Sequence, residues 1–171
     1  MGDIDYAHEA AAIVRDAGGR IVGRTKLQKI GYFLEVSGLG GGLPFQYKHY
    51  GPYSEELAFG AQHAAALRLI SENEMLSSWG GTYSTFISNL PQDAIVDPAR
   101  TRLAHELAST DAIELELAAT ALFLRHDGFA DPWGETERRK PEKAAGGRLE
   151  RAKQLYRRLC QIQTPEPLPV L

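Results

Sequence analysis

Thr25-Lys26-Leu27-Gln28-Lys29-Ile30-Gly31-Tyr32-Phe33 and, beyond a glycine-rich break at 38–42, Tyr47-Lys48-His49-Tyr50-Gly51-Pro52-Tyr53-Ser54-Glu55-Glu56-Leu57 decide the fold. In the first stretch Thr25 and Gln28 have capping-box spacing: the Thr25 hydroxyl can accept from the Gln28 amide while the Gln28 side chain returns to the cap. A helix is therefore expected to start at Thr25. Leu27, Ile30, Gly31 and Leu34 form its apolar stripe. A glycine inside a helix costs about 1 kcal/mol relative to alanine, which predicts that another element crosses closely at Gly31. In the second stretch Phe45, Tyr47 and His49 alternate with Gln46, Lys48 and Tyr50 as in a short strand, which Gly51-Pro52 ends. Ser54 then caps a third helix, with Glu55 and Glu56 on the positive end of its dipole. Its small face, Leu57, Ala61, Ala64 and Ala65, is expected to pack against the second helix.

Working outward, residues 4–17 read as a helix with Tyr6, Ala10, Val14 and Ala17 on one face and Gly18-Gly19 as the stop. Residues 68–75 and 81–88 read as two strands of a hairpin. Three helices followed by a hairpin predict a winged-helix-like core over 1–90. A helical portion over 91–162 packs on that core, and 163–171, with three prolines, forms an extended tail. Within the helical portion, 89–96 is a connection and Asp97-Pro98 starts a helix ending near Ser109. Residues 110–124 are apolar on more than one face, the pattern of a central buried helix. Residues 126–137 read as a loop whose aromatics close over the core, and 141–161 as one closing helix. The fold class is α+β, mainly α.

The two opening stretches resemble the YwgA-like family of bacterial proteins and the related Panacea domain. The resemblance is carried by Lys26-Leu27-Gln28-Lys29 and Tyr50-Gly51-Pro52-Tyr53-Ser54 and covers most of 24–88. A looser match continues through Leu115-Glu116-Leu117-Ala118-Ala119-Thr120 and Lys140-Pro141-Glu142-Lys143. It implies a bacterial setting of antitoxin-like proteins, prophages and defence neighbourhoods, and a protein partner such as a toxin.

A chain of 171 residues is long enough to bury roughly two thirds of its unfolded surface. Cys160 is the single cysteine, so no intramolecular disulfide forms and a cytoplasmic location is expected. The acidic start lacks a signal-peptide pattern, and no apolar run approaches ~18 residues, so neither secretion nor membrane insertion is expected. Charge is segregated: residues 138–158 hold nine Lys or Arg against Glu142 and Glu150, a net of +7, which leaves −10 elsewhere in a chain of net −3. A basic stripe beside an acidic body can meet phosphate, an acidic partner or the protein's own acidic surface.

Tyrosine and tryptophan offer large contact areas at low entropic cost, which makes Tyr50, Tyr53 and Trp133 the candidate partner-binding residues. Arg20, Arg24, Lys26 and Lys29 form the candidate nucleic-acid patch of an alternative, a winged-helix DNA-binding regulator. Against that alternative, 54–67 contains no lysine or arginine for phosphate or guanine. A weaker alternative is a ribonuclease of the HEPN type, from the Arg100-x4-His105 spacing. The five histidines are scattered without metal-ligand spacing, and no nucleophile elbow, P-loop or dinucleotide fingerprint is present, so no metal, cofactor or catalytic set is expected. The preferred expectation is a non-catalytic protein-interaction module.

Overall fold

A computed structural model describes residues 3–92 and 97–171, with side chains described from Tyr6 onward. Residues 1–2 and part of the expected connection, 93–96, lie outside the described residues. The fold is α+β and mainly α. Its elements run α1 (Asp3–Asp16), β1 (Arg20–Val22), α2 (Arg24–Val36), β2 (Gln46–Lys48), β3 (Gly51–Tyr53), α3 (Glu55–Ala66), β4 (Ile70–Leu76) and β5 (Thr82–Ser88). They continue α4 (Pro98–Ala108), α5 (Ala112–His126), α6 (Pro132–Arg139), α7 (Pro141–Ala144) and α8 (Arg148–Cys160). β1, β5 and β4 form an antiparallel sheet in the order β1-β5-β4, while β2 and β3 form a separate hairpin.

Local signals place several of these elements. The Ser54 side chain accepts from the Leu57 amide, and Asp97 accepts from the amides of Ala99 and Arg100 with Pro98 in the first turn. α5 is the buried central helix, because Leu115 to Leu122 and Leu124 are all shielded and α2, α6, α8 and β3 pack around it. One buried cluster draws on both halves of the chain, from Ala7, Ile30 and Leu57 to Leu103, Leu115 and Leu155.

Other expectations are corrected. α2 starts at Arg24 behind Gly23, whose φ of 100° no side chain favours, and no side chain caps it. The capping-box partner Gln28 is buried and turned toward Ser54 instead. Gly51-Pro52 opens the return strand β3 rather than ending the run, pairing with Lys48 and Tyr47. Residues 132–139 are helical, not loop, because Asp131 accepts from the Gly134 amide and Pro132 occupies the first turn. The closing helix is split, since Gly146 and Gly147 both adopt positive φ between α7 and α8. β1 went unread. The tail is extended but held: the Glu166 amide donates to the Ser37 carbonyl, the Tyr156 hydroxyl to that of Pro169, and Leu168 and Leu171 pack on the core.

A close crossing does occur at Gly31, where an added Cβ would stand 2.8 Å from Leu57 Cδ2. The tighter one is at Gly60, whose Cβ would stand 2.5 Å from the Tyr6 carbonyl oxygen. Backbone thus meets backbone between α1 and α3, and α3 packs chiefly on α1 rather than on α2.

Candidate functional site

Three separated sequence motifs converge on a fourth, the β2–β3 hairpin. From α2, Gln28 Nε2 donates to the Ser54 carbonyl at 2.9 Å and Gln28 Oε1 accepts from the Ser54 amide at 2.8 Å. The next residue, Lys29, donates from Nζ to the Pro52 carbonyl at 2.8 Å. From the loop after α6, Lys140 Nζ donates to the His49 carbonyl at 3.1 Å. From α5, Thr120 meets the hairpin at Gly51, where φ is 89° and a Cβ would stand 2.6 Å from Thr120 Oγ1. Gly51 is needed both for its dihedral and for its missing side chain. β2 and β3 span three residues each, too few to be stable alone, so these braces define the hairpin.

Behind it lies a buried charged cluster. Glu116 Oε2 pairs with Lys140 at 3.1 Å and Lys143 at 2.7 Å, and the side chains of Glu116 and Lys140 are almost wholly shielded. Lys29 is 1% exposed. Burial pushes its pKa down to about 7; the Glu116 charge opposes this shift and the charges of Lys140 and Lys143 add to it. Tyr32 is also pushed well above the ordinary phenol range by burial.

The braced hairpin presents its turn to solvent. Tyr50 is 53% exposed, with His49 edge-on at 4.9 Å and Lys143 Nζ 4.7 Å from its ring centroid. Tyr53 is half-buried under Lys48 Nζ at 4.9 Å, and Lys48 also pairs with Glu55. Tyr50 and Tyr53, with Leu27, Ala58 and Gln62, line a cleft of about 270 Å³ whose rim carries the Arg24–Glu72 ion pair at 2.8 Å. Burial raises the pKa of Glu72, but hydrogen bonds from Ser84 and Arg24 and the Arg24 charge outweigh it and hold it below the ordinary value.

Arg24 links this cleft to a second hollow beneath the β4–β5 hairpin, where Trp79 and Tyr83 take part in the lining. Leu76 is 82% and Trp79 75% exposed, and Met75 and Tyr83 are also open to solvent. Sequence reasoning missed this surface. Met75 and Tyr83 are cross-strand partners, so their alternation along β4 and β5 puts them on one face, a pattern that was available in the sequence.

The expected partner trio is divided. Tyr50 and Tyr53 share the cleft, whereas Trp133 is half-buried edge-on to Tyr156 and lines a different hollow with Cys160 and Leu171. The expected nucleic-acid patch is dispersed as well. Arg20 is exposed and Arg24 is paired with Glu72, but Lys26 donates to the carbonyls of Ala108 and Thr110 at the end of α4. Burial lowers the pKa of Lys26. Lys29 is buried at the base of the tyrosine cleft, 1% exposed, a correction to its place in that patch.

Arg100 is likewise held inside, against Glu9 and Asp16 at 2.7 Å each and the Leu39 carbonyl at 3.0 Å. His105 is exposed on α4. Five residues along a helix correspond to roughly 140° of rotation, so the two side chains diverge. Among the described residues no cluster of His, Cys, Asp and Glu is placed to hold a metal, and no helix is long and apolar enough to cross a membrane. Comparison with protein-family models, with curated proteins and with solved structures returns no match.

Proposed function

We propose that this chain is a non-catalytic protein-interaction module whose partner docks on the braced hairpin at Tyr50 and Tyr53 and extends over Arg24 to Trp79. The single observation that carries this is the bracing itself. Gln28, Lys29 and Lys140 fix three successive segments of a six-residue ribbon whose outermost ring is left exposed beside a cleft. A ring held in place loses little entropy on binding, which is what makes aromatic anchors effective. The exposed Met75, Trp79 and Tyr83 of the β4–β5 hairpin add apolar area of the kind that marks interaction surfaces. We further propose that the partner belongs to a bacterial toxin–antitoxin, prophage or defence setting, with a toxin as its class and the cytoplasm as its location. That part rests on the resemblance of the four motifs, which are the same four that meet at the hairpin.

One observation supports the winged-helix DNA-binding regulator: apart from the inserted β2–β3 hairpin, the order α1-β1-α2-α3-β4-β5 with sheet order β1-β5-β4 is the order such domains use. Charge weighs against it. The exposed positions of α3 and β4 carry Glu55, Gln62 and Glu74 rather than cations, and phosphate contacts need cations.

The test is to purify the chain with its partner from the native host, then measure the reconstituted affinity of Tyr50→Ala and Trp79→Ser. Each is expected to weaken binding by about 2 kcal/mol, roughly thirty-fold, with the thermal midpoint unchanged. Full affinity in both variants, or sequence-selective nanomolar DNA binding by the isolated chain, would overturn the proposal.

A further inference from the structure

Next to the β2–β3 turn is a second hollow, of about 330 Å³, lined by His49, Arg139, Lys140, Pro141, Glu142 and Lys143. We propose that this hollow binds a phosphate group, with the Arg139 guanidinium as its fork and Lys140, Lys143 and His49 completing the donor set. This goes beyond the protein-interaction reading and does not depend on it.

Arg139 is arranged as a ligand-binding arginine is. Its guanidinium carbon lies 5.0 Å from the Tyr47 ring centroid and 5.3 Å from that of Phe129, and Nε donates to Glu135 Oε1 at 2.7 Å. The two terminal nitrogens have no protein acceptor among the described residues. A guanidinium positioned by two rings and one carboxylate, with its terminal nitrogens free, is pre-organised for bidentate contact with a tetrahedral oxyanion.

The charges around it do not balance. Glu135 serves both Arg138 and Arg139, and Glu116 serves both Lys140 and Lys143, so two carboxylates offset four cations. Glu142, exposed on the rim, is the one remaining carboxylate of the lining and leaves a surplus of positive charge. An ammonium has three donors, and Lys143 uses one on Glu116, so further protons are available to a ligand beside the free guanidinium nitrogens. Surplus charge, a rigid fork and a partly enclosed volume together call for an anion with several acceptor oxygens.

Free phosphate and a phosphorylated small molecule share this chemistry. Calorimetric titration of the full chain with inorganic phosphate and, separately, adenosine monophosphate, at ionic strength held constant with chloride, distinguishes them. Saturable binding with Kd of about 1 mM or tighter is expected for at least one. The tighter of the two identifies the source. Arg139→Gln should weaken it about ten-fold or more. Glu142→Gln alters an exposed side chain, so it keeps the fold, and should tighten binding several-fold by removing the opposing charge. Absence of saturable binding by either ligand overturns the proposal, as does binding that Glu142→Gln and Arg139→Gln leave unchanged.

Discussion

Replacing Lys29 with methionine tests whether the base of the site is dry. The wild-type amine is 1% exposed, and its pKa is lowered to about 7 by burial. In the unfolded chain it returns to about 10.4, so the native state disfavours the charged amine by roughly 4 to 5 kcal/mol at 1.36 kcal/mol per pKa unit. Between those two values the unfolded chain holds a proton that the native protein does not. Wild-type stability therefore rises with pH through the window from about 7 to about 10.4, with a slope of up to about 1.4 kcal/mol per unit, and below that window the penalty is fully present and independent of pH. Methionine has similar length and no charge, but leaves the Pro52 carbonyl without its donor, at a cost of about 1 to 3 kcal/mol. The variant should accordingly be the more stable protein near pH 6.5 and lose that advantage as pH rises, with a swing of about 2 to 3 kcal/mol between about pH 7 and pH 9. Urea unfolding of both proteins across that range measures it, and taking the difference cancels the other titrating groups. A difference that stays flat would mean that Lys29 titrates as a hydrated amine and that the interior beneath the hairpin is wet.

Gly60→Ala should destabilise by about 2 kcal/mol or more in a thermal melt, because its methyl would meet the Tyr6 carbonyl and backbone cannot yield. Gly31→Ala should cost less, since it meets the movable end of Leu57 and gains about 1 kcal/mol of helix propensity. Gln28→Leu leaves both backbone groups of Ser54 unpaired and should cost roughly 2 to 4 kcal/mol in denaturant unfolding; a near-neutral result would show that the hairpin is held by packing alone.

Elements set by local chemistry were legible in the sequence. Ser54 and Asp97 cap the helices that follow them, as the sequence predicts, and the three-then-four spacing of Leu27, Ile30 and Leu34 marks a buried face. Asp131-Pro132 carries the same start signal as Asp97-Pro98, but Gly128, Trp133 and Gly134 around it suggested a loop. β1 spans three residues and depends on pairing with β5, more than sixty residues later, so no local pattern marks it.

The site was less legible for a related reason. α2 is buried from Leu27 through Leu34, polar Gln28 and Lys29 included, because α5 arrives from far along the chain to cover the side that would otherwise be solvated. A lysine beside other cations suggests a surface patch until the groups that surround it are known. Thr120, Glu116 and Lys140 could be recognised as parts of motifs, whereas the meeting of Thr120 with Gly51, of Lys140 with His49 and of Glu116 with Lys140 is a property of the fold.

The most direct test of the braced hairpin as a docking surface is site-specific photo-crosslinking in the native host, with a photoreactive residue at Tyr50, at Trp79 and, as a control on α8, at Glu150. Positions 50 and 79 should each yield the same discrete protein adduct, and position 150 none. Adducts to nucleic acid, or no adduct at 50 and 79 from a folded and expressed chain, would contradict the account.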